Sequence, residues 1–113
     1  MGNATKEIEV TIEDCKVMIE RGKCLERLLN HPDFNELIME GYMKREAHRQ
    51  TLLLADPALE SPEARANVVR GLQAIADLNS HFRTVRSAAT IAQRTLKEHE
   101  EELEFERRRE LEE

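Results

Sequence analysis

The sequence predicts an all-α protein: a helical hairpin followed by a long, coiled-coil-like C-terminal helix, with a short extended N-terminal segment. Three observations lead there. Charged residues make up 35% of the 113 residues and aromatics 4%, with four Gly, three Pro and no Trp, a balance that suits water-exposed helices and suits sheets poorly. Apolar residues recur at alternating steps of three and four across the second half of the chain. Proline-marked breaks at His31-Pro32 and Asp56-Pro57 divide the rest into helix-sized pieces. At this length one domain, 1–113, is expected. The 40% hydrophobic fraction is too high for disorder, yet with so few aromatics a lone monomer has a thin core, so self-association is expected.

Residues 1–11 read as an extended arm. Lys6 to Ile12 alternates strictly, with Ile8, Val10 and Ile12 on one side and Glu7, Glu9 and Thr11 on the other, the period of a half-buried strand. A lone strand of this kind can add to a sheet edge on another molecule, so Ile8, Val10 and Ile12 are candidate partner-docking residues. A first helix is then expected over 12–30, capped by Thr11 with Asp14 and carrying Ile12, Cys15, Met18, Ile19, Gly22, Leu25, Leu28 and Leu29 at helical spacing.

Pro32 suits the first position of a second helix, 32–55. Phe34, Leu37, Ile38, Gly41 and Tyr42 give it an apolar face, and Leu52, Leu53 and Leu54 close it. Its centre is basic. Lys44, Arg45, His48 and Arg49 interrupt the apolar rows, either as a solvated face or as a patch for an acidic partner; Arg45, His48 and Arg49 are therefore further docking candidates.

Ser61-Pro62-Glu63 starts a third helix, 62–110, with a capping Ser, Pro in the first turn and an acid beside it. The connection from 55 is so short that the two helices should pack antiparallel. From Ala64 the seam runs through Val68, Gly71, Ile75, Leu78, Phe82, Val85, Ala89, Ala92, Leu96, His99 and Leu103. Its repeat of 3.5 implies supercoiling against another helix. At 1.5 Å per residue this helix approaches about 70 Å, more than two helices of about 20 residues can cover. Ile75, Leu78, Phe82, Val85, Ala89, Ala92, Leu96, His99 and Leu103 are accordingly expected at an interface with a second copy of the chain. Beyond Leu103 the seam fails, since Glu106 and Glu110 stand where apolar residues are due.

Charge is uneven: −4 over residues 1–40, +3 over 41–95 and −5 over 96–113. The acidic total of −6 argues against generic DNA affinity, which comes from many Lys and Arg neutralising phosphates. Arg65, Arg70, Arg83 and Arg86 leave nucleic-acid binding by a packaging-associated oligomer as an alternative, and the Glu-rich ends leave another, a small acidic inhibitor of a host nucleic-acid enzyme. No run reaches the length of a membrane span and no apolar signal core opens the chain. Lys6 stands where a myristoylation pattern wants Ser or Thr.

Catalytic and metal chemistry find no purchase. A di-metal helical site needs Glu three residues before His, and the residues three before His48, His81 and His99 are Arg45, Leu78 and Leu96. Cys15 and Cys24 form no CxxC pair and read as two buried free thiols. With only Gly2, Gly22, Gly41 and Gly71 there is no phosphate loop. Neither an enzyme nor a cofactor is expected.

Leu28-Leu29-Asn30-His31-Pro32-Asp33-Phe34, Glu40-Gly41-Tyr42, Asp56-Pro57-Ala58 and His81-Phe82-Arg83-Thr84-Val85 together resemble small helical proteins from the structural-gene cassettes of tailed bacteriophages, over roughly residues 25 to 105. The resemblance implies a structural or assembly role in the virion, or in the host cytoplasm while virions form, with capsid, portal or tail components as partners. It carries over no catalytic residue.

Overall fold

The computed structural model describes residues 2–112, and every regular element among them is helical. The all-α class and the long C-terminal helix are as expected; the extended arm is not. Helix α1 runs Asn3–Leu29. The reason lies in two residues that satisfy both periods. Ile8 and Ile12 are four apart, which puts them on one side of a strand and equally on one face of a helix. Only Val10 separates the readings, and it points outward at 62% exposed while Ile8 and Ile12 are buried. Ile8 and Ile12 are thus core residues of the protein itself and not a docking strand. Thr11 does not cap a helix either: its hydroxyl donates to the Glu7 carbonyl one turn back, at 3.1 Å, an arrangement found inside helices.

α1 ends where expected. The Asn30 amide is shared between the carbonyls of Glu26 and Arg27, at 3.1 and 3.3 Å. Asn35 Nδ2 donates to the Leu29 carbonyl at 2.6 Å, and His31 Nδ1 accepts from the Asp33 amide at 3.2 Å. His31 is therefore the cap that opens the next helical stretch.

Residues 32–55 form a continuous helical stretch of mixed type: an α-turn α2 (Pro32–Phe34), a π-helix π1 (Asn35–Glu46) and an α-helix α3 (Ala47–Ala55). The wider π turn rotates the inward face away from the 3.6-residue reading. Half-buried residues come in pairs four apart, Ile38 with Met39, Tyr42 with Met43 and Glu46 with Ala47, while Leu37, expected on the apolar face, is 71% exposed. Gly41 permits the geometry, since a Cβ there would stand 2.9 Å from the Glu36 carbonyl oxygen.

The turn before α4 (Pro62–Glu112) is held by Asp56 and Ser61. The Ala58 amide donates to Asp56 Oδ1 at 2.9 Å, and the Ala64 amide donates to Ser61 Oγ at 3.3 Å. The Arg65 guanidinium donates to the carbonyls of Leu54 and Leu59, at 3.1 and 3.3 Å, the first an orphan acceptor at the end of α3 and the second in the turn itself.

The chain divides into two compact units, Glu26–Arg83 and a second made of Met1–Leu25 with Thr84–Glu113. Within Glu26–Arg83 the 32–55 stretch lies antiparallel to the start of α4, as the short connection predicts. Phe34 meets Phe82 edge-on, with ring centroids 6.0 Å apart, and a Cβ at Gly71 would overlap the Gln50 side chain. Ile75 is buried there.

In the second unit α1 lies antiparallel to the end of α4. Thr5 bonds Glu110, Glu9 pairs with Arg107, and a Cβ on Gly22 would overlap Ala89 Cβ. Val85, Ala89, Ala92, Leu96, His99 and Leu103 thus belong to a seam whose other half is the chain's own α1, and Ile75, Leu78 and Phe82 belong to the Glu26–Arg83 unit. The expected partner copy is not needed to cover them. At 27 residues, α1 reaches further along α4 than the expected first helix, because the supposed arm is about its first two and a half turns.

Candidate interaction surface

Along α1, Thr5, Ile8, Ile12, Cys15, Ile19 and Gly22 alternate by three and four, facing Val85, Ala89, Ala92, Leu96, His99, Leu103, Glu106 and Glu110 on α4. Each helix of such a pair also presents two flanking rows, which meet like with like when the helices are antiparallel. One edge of the pair carries Glu9, Lys16 and Lys23 beside Arg86, Gln93, Glu100 and Arg107. The Glu9–Arg107 ion pair, 3.3 Å, lies on it. The opposite edge carries Ala4, Thr11, Met18 and Leu25 beside Ala88, Thr95 and Glu102, and a shallow groove lined by Ala4, Glu7, Ile8, Thr11, His99 and Glu102 opens there. One edge is charged along its length; on the other the row of Thr11, Met18 and Leu25 is itself uncharged, with the exposed Asp14 and Arg21 beside it.

The seam does not stop at Leu103. Glu106 keeps its place with its side chain only 16% exposed, paired to Arg109 at 2.9 Å, and Glu110 accepts from the fully buried Thr5 hydroxyl at 2.9 Å and from the Gly2 amide at 3.2 Å. Those donors, the Thr5 hydroxyl first, hold the Glu110 carboxyl below its ordinary range. A carboxylate at the N-terminal end of α1 also complements the helix dipole.

The basic stretch of residues 44–49 is laced to acids on its own helix. Lys44 pairs with Glu40 at 3.0 Å, Arg45 with Glu36 at 2.7 Å and Arg49 with Glu46 at 2.5 Å, while His48 is exposed. The Arg49 hydrogen bond, with a second from Gln50, lowers the Glu46 carboxyl to about 2. Of the docking candidates here, Arg45 and Arg49 therefore present alternating charge rather than a bare cationic patch. Arg65 is spent on the turn and Arg70 bonds Asn67; Arg83, Arg86 and Arg94 are exposed.

Cys15 is buried as expected, but Cys24 is exposed and its thiol lies 3.9 Å from Glu20 Oε1. Cys24 falls on the outward row of α1 with Val10 and Val17, seven residues apart in each step, a repeat that the mixed stripe around Leu25 obscured. Among the described residues no group of three or more His, Cys, Asp or Glu side chains is gathered to hold a metal ion. No helix among them is long and apolar enough to cross a membrane. No protein-family model, curated protein or solved structure matches the chain.

Proposed function

We propose that this is a non-enzymatic helical protein of tailed-bacteriophage particle assembly, one that associates with its own kind and docks on capsid, portal or tail components. The observation that carries the reading is the amount of apolar side chain left in water. Val10, Leu37, Leu52, Ile91, Phe105 and Leu111 are each more than half exposed, and a partner that covered any of them would remove apolar surface from water. The phage assignment rests on the segments around Leu28–Phe34, Asp56–Ala58 and His81–Val85 that resemble such proteins. In this reading the protein acts in the host cytoplasm during assembly, in the particle, or in both.

Mass spectrometry of purified particles tests it: a fixed copy number per particle is expected, and absence from both particles and assembly intermediates overturns it. A second reading, a nucleic-acid-binding oligomer, is favoured by the exposure of Arg83, Arg86 and Arg94. Salt-sensitive binding of DNA by the purified protein would select it.

A further inference from the structure

We infer that a second copy of this chain docks antiparallel on the outward face of α4, about a two-fold axis beside Lys97 and Glu98. The inference rests on the self-association proposed above and adds the surface that performs it. Within the unit that holds the end of α4, residues 84–97 carry Arg86, Arg94 and Lys97 and no acid, whereas residues 98–106 carry six Glu and no Lys or Arg. The charge of the helix therefore changes sign between Lys97 and Glu98. A second α4 laid antiparallel across that point sets basic half against acidic half on both sides of the axis. A parallel copy would set like against like.

The exposed apolar residues select the same point independently. Ile91 and Phe105 are 58% and 63% exposed, and each lies seven residues from Glu98, so the three share one row of the helix. About two turns, roughly 10.5 Å, separate each apolar side chain from the axis. An antiparallel copy brings Ile91 of one chain to the level of Phe105 of the other, and the symmetry repeats the contact. Arg94 and Glu101 form the adjoining row. Together the two rows make a three-and-four frame, Ile91, Arg94, Glu98, Glu101 and Phe105, on the side of α4 away from its seam with α1.

The charged members of this frame are open to another chain. Glu102, Glu104 and Glu106 already bond His99, Arg108 and Arg109. Arg94, Lys97, Glu98 and Glu101 are exposed and enter no ion pair among the described residues. Arg94 stands four before Glu98 and Lys97 four before Glu101, but a cation that precedes its acid is the weaker order on a helix. In the antiparallel copy Lys97 meets Glu98 of the other chain and Arg94 meets Glu101, each contact made twice. Exposed ion pairs add little strength apiece. They fix orientation and register, while withdrawal of Ile91 and Phe105 from water supplies attraction. The resulting dimer is one that salt loosens.

Sedimentation equilibrium of the full chain tests the inference on Arg94→Glu, Glu101→Arg and the double variant Arg94→Glu/Glu101→Arg. Lys23→Glu, at an exposed position of α1, is the control, since it changes net charge as much as Arg94→Glu does. Circular dichroism checks that each variant keeps the helical signal. A dimer is expected for the unmodified chain at about 0.1 M salt and should weaken toward about 1 M. Each single reversal turns two attractions into two repulsions and should weaken dimerisation at least about tenfold. The double variant should recover most of that loss, and Lys23→Glu should leave dimerisation unchanged. A monomer at every concentration, the result if this face serves a partner of another kind, overturns both this inference and the self-association it rests on. A dimer that survives either single reversal, that the double variant fails to recover, or that withstands salt overturns this face alone and leaves self-association standing.

Discussion

Gly22 and Ala89 let α1 and α4 approach so closely that a Cβ on Gly22 would overlap the Ala89 methyl group. The sequence places both on apolar stripes, but nothing in one chain's spacing reveals that the stripe of residues 5–22 answers the stripe of residues 85–110. Gly22→Ala should gain up to about 1 kcal/mol of helix propensity and lose about 1–3 kcal/mol to overpacking against Ala89. Net destabilisation in urea is expected, with recovery in Gly22→Ala/Ala89→Gly; equal stability in the single and double variants would show that the contact is slack. Thr5 and Glu110 teach a related lesson. A carboxylate in a seam position looks like the end of the seam until its donor is known, and the donor here lies 105 residues away. Because folding lowers the Glu110 carboxyl below its ordinary value of 4.5, its contribution to stability is present above that pH and is lost as pH falls through the lower, folded value. Glu110→Gln should therefore flatten the acid limb of the stability profile below about pH 4.5, read by thermal melts between pH 3 and 6. An unchanged limb would exonerate Glu110.

At the scale of elements, start and stop signals were legible wherever a backbone constraint produced them. Pro32, Pro57 and Pro62 restrict local geometry whatever surrounds them, and the structure breaks at each. Periodicity was weaker evidence where it was short or where the helix changed type. Seven residues of alternation cannot overrule a partner helix that buries Ile8 and Ile12, and a 3.6-residue template misplaces side chains along a π-helix. Leu37 and Ile38 give a direct measurement of the latter. Leu37→Ala should change stability by no more than about 0.5 kcal/mol, and Ile38→Ala should cost about 1–2 kcal/mol. The opposite ranking would mean that residues 35–46 wind as an ordinary α-helix in solution.

For the molecule as a whole, the class and the Glu26–Arg83 hairpin could be read from sequence, because a short connection joins its helices. The other unit could not, since its two helices are joined only through the hairpin and no local signal records their pairing. That unit depends on the residues that look like a tail. Deleting residues 1–10 should remove the Thr5 and Ile8 contacts, the latter worth on the order of 1.5–3 kcal/mol if fully buried, and unpair Arg107. The helical signal and melting midpoint should both fall; retention of both would restore the detached arm. The remote pairing of Thr5 with Glu110 also sets an order of events during synthesis. A helix at the front of the chain must emerge, fold back or wait, and remain soluble until more than a hundred further residues have been made. Hairpin contacts close short loops, whereas the Thr5–Glu110 contact closes one of the longest the chain allows. The hairpin is thus the first structure the growing chain can complete, and the exposed Ile8 and Ile12 of a waiting α1 are what a chaperone would meet in the interval.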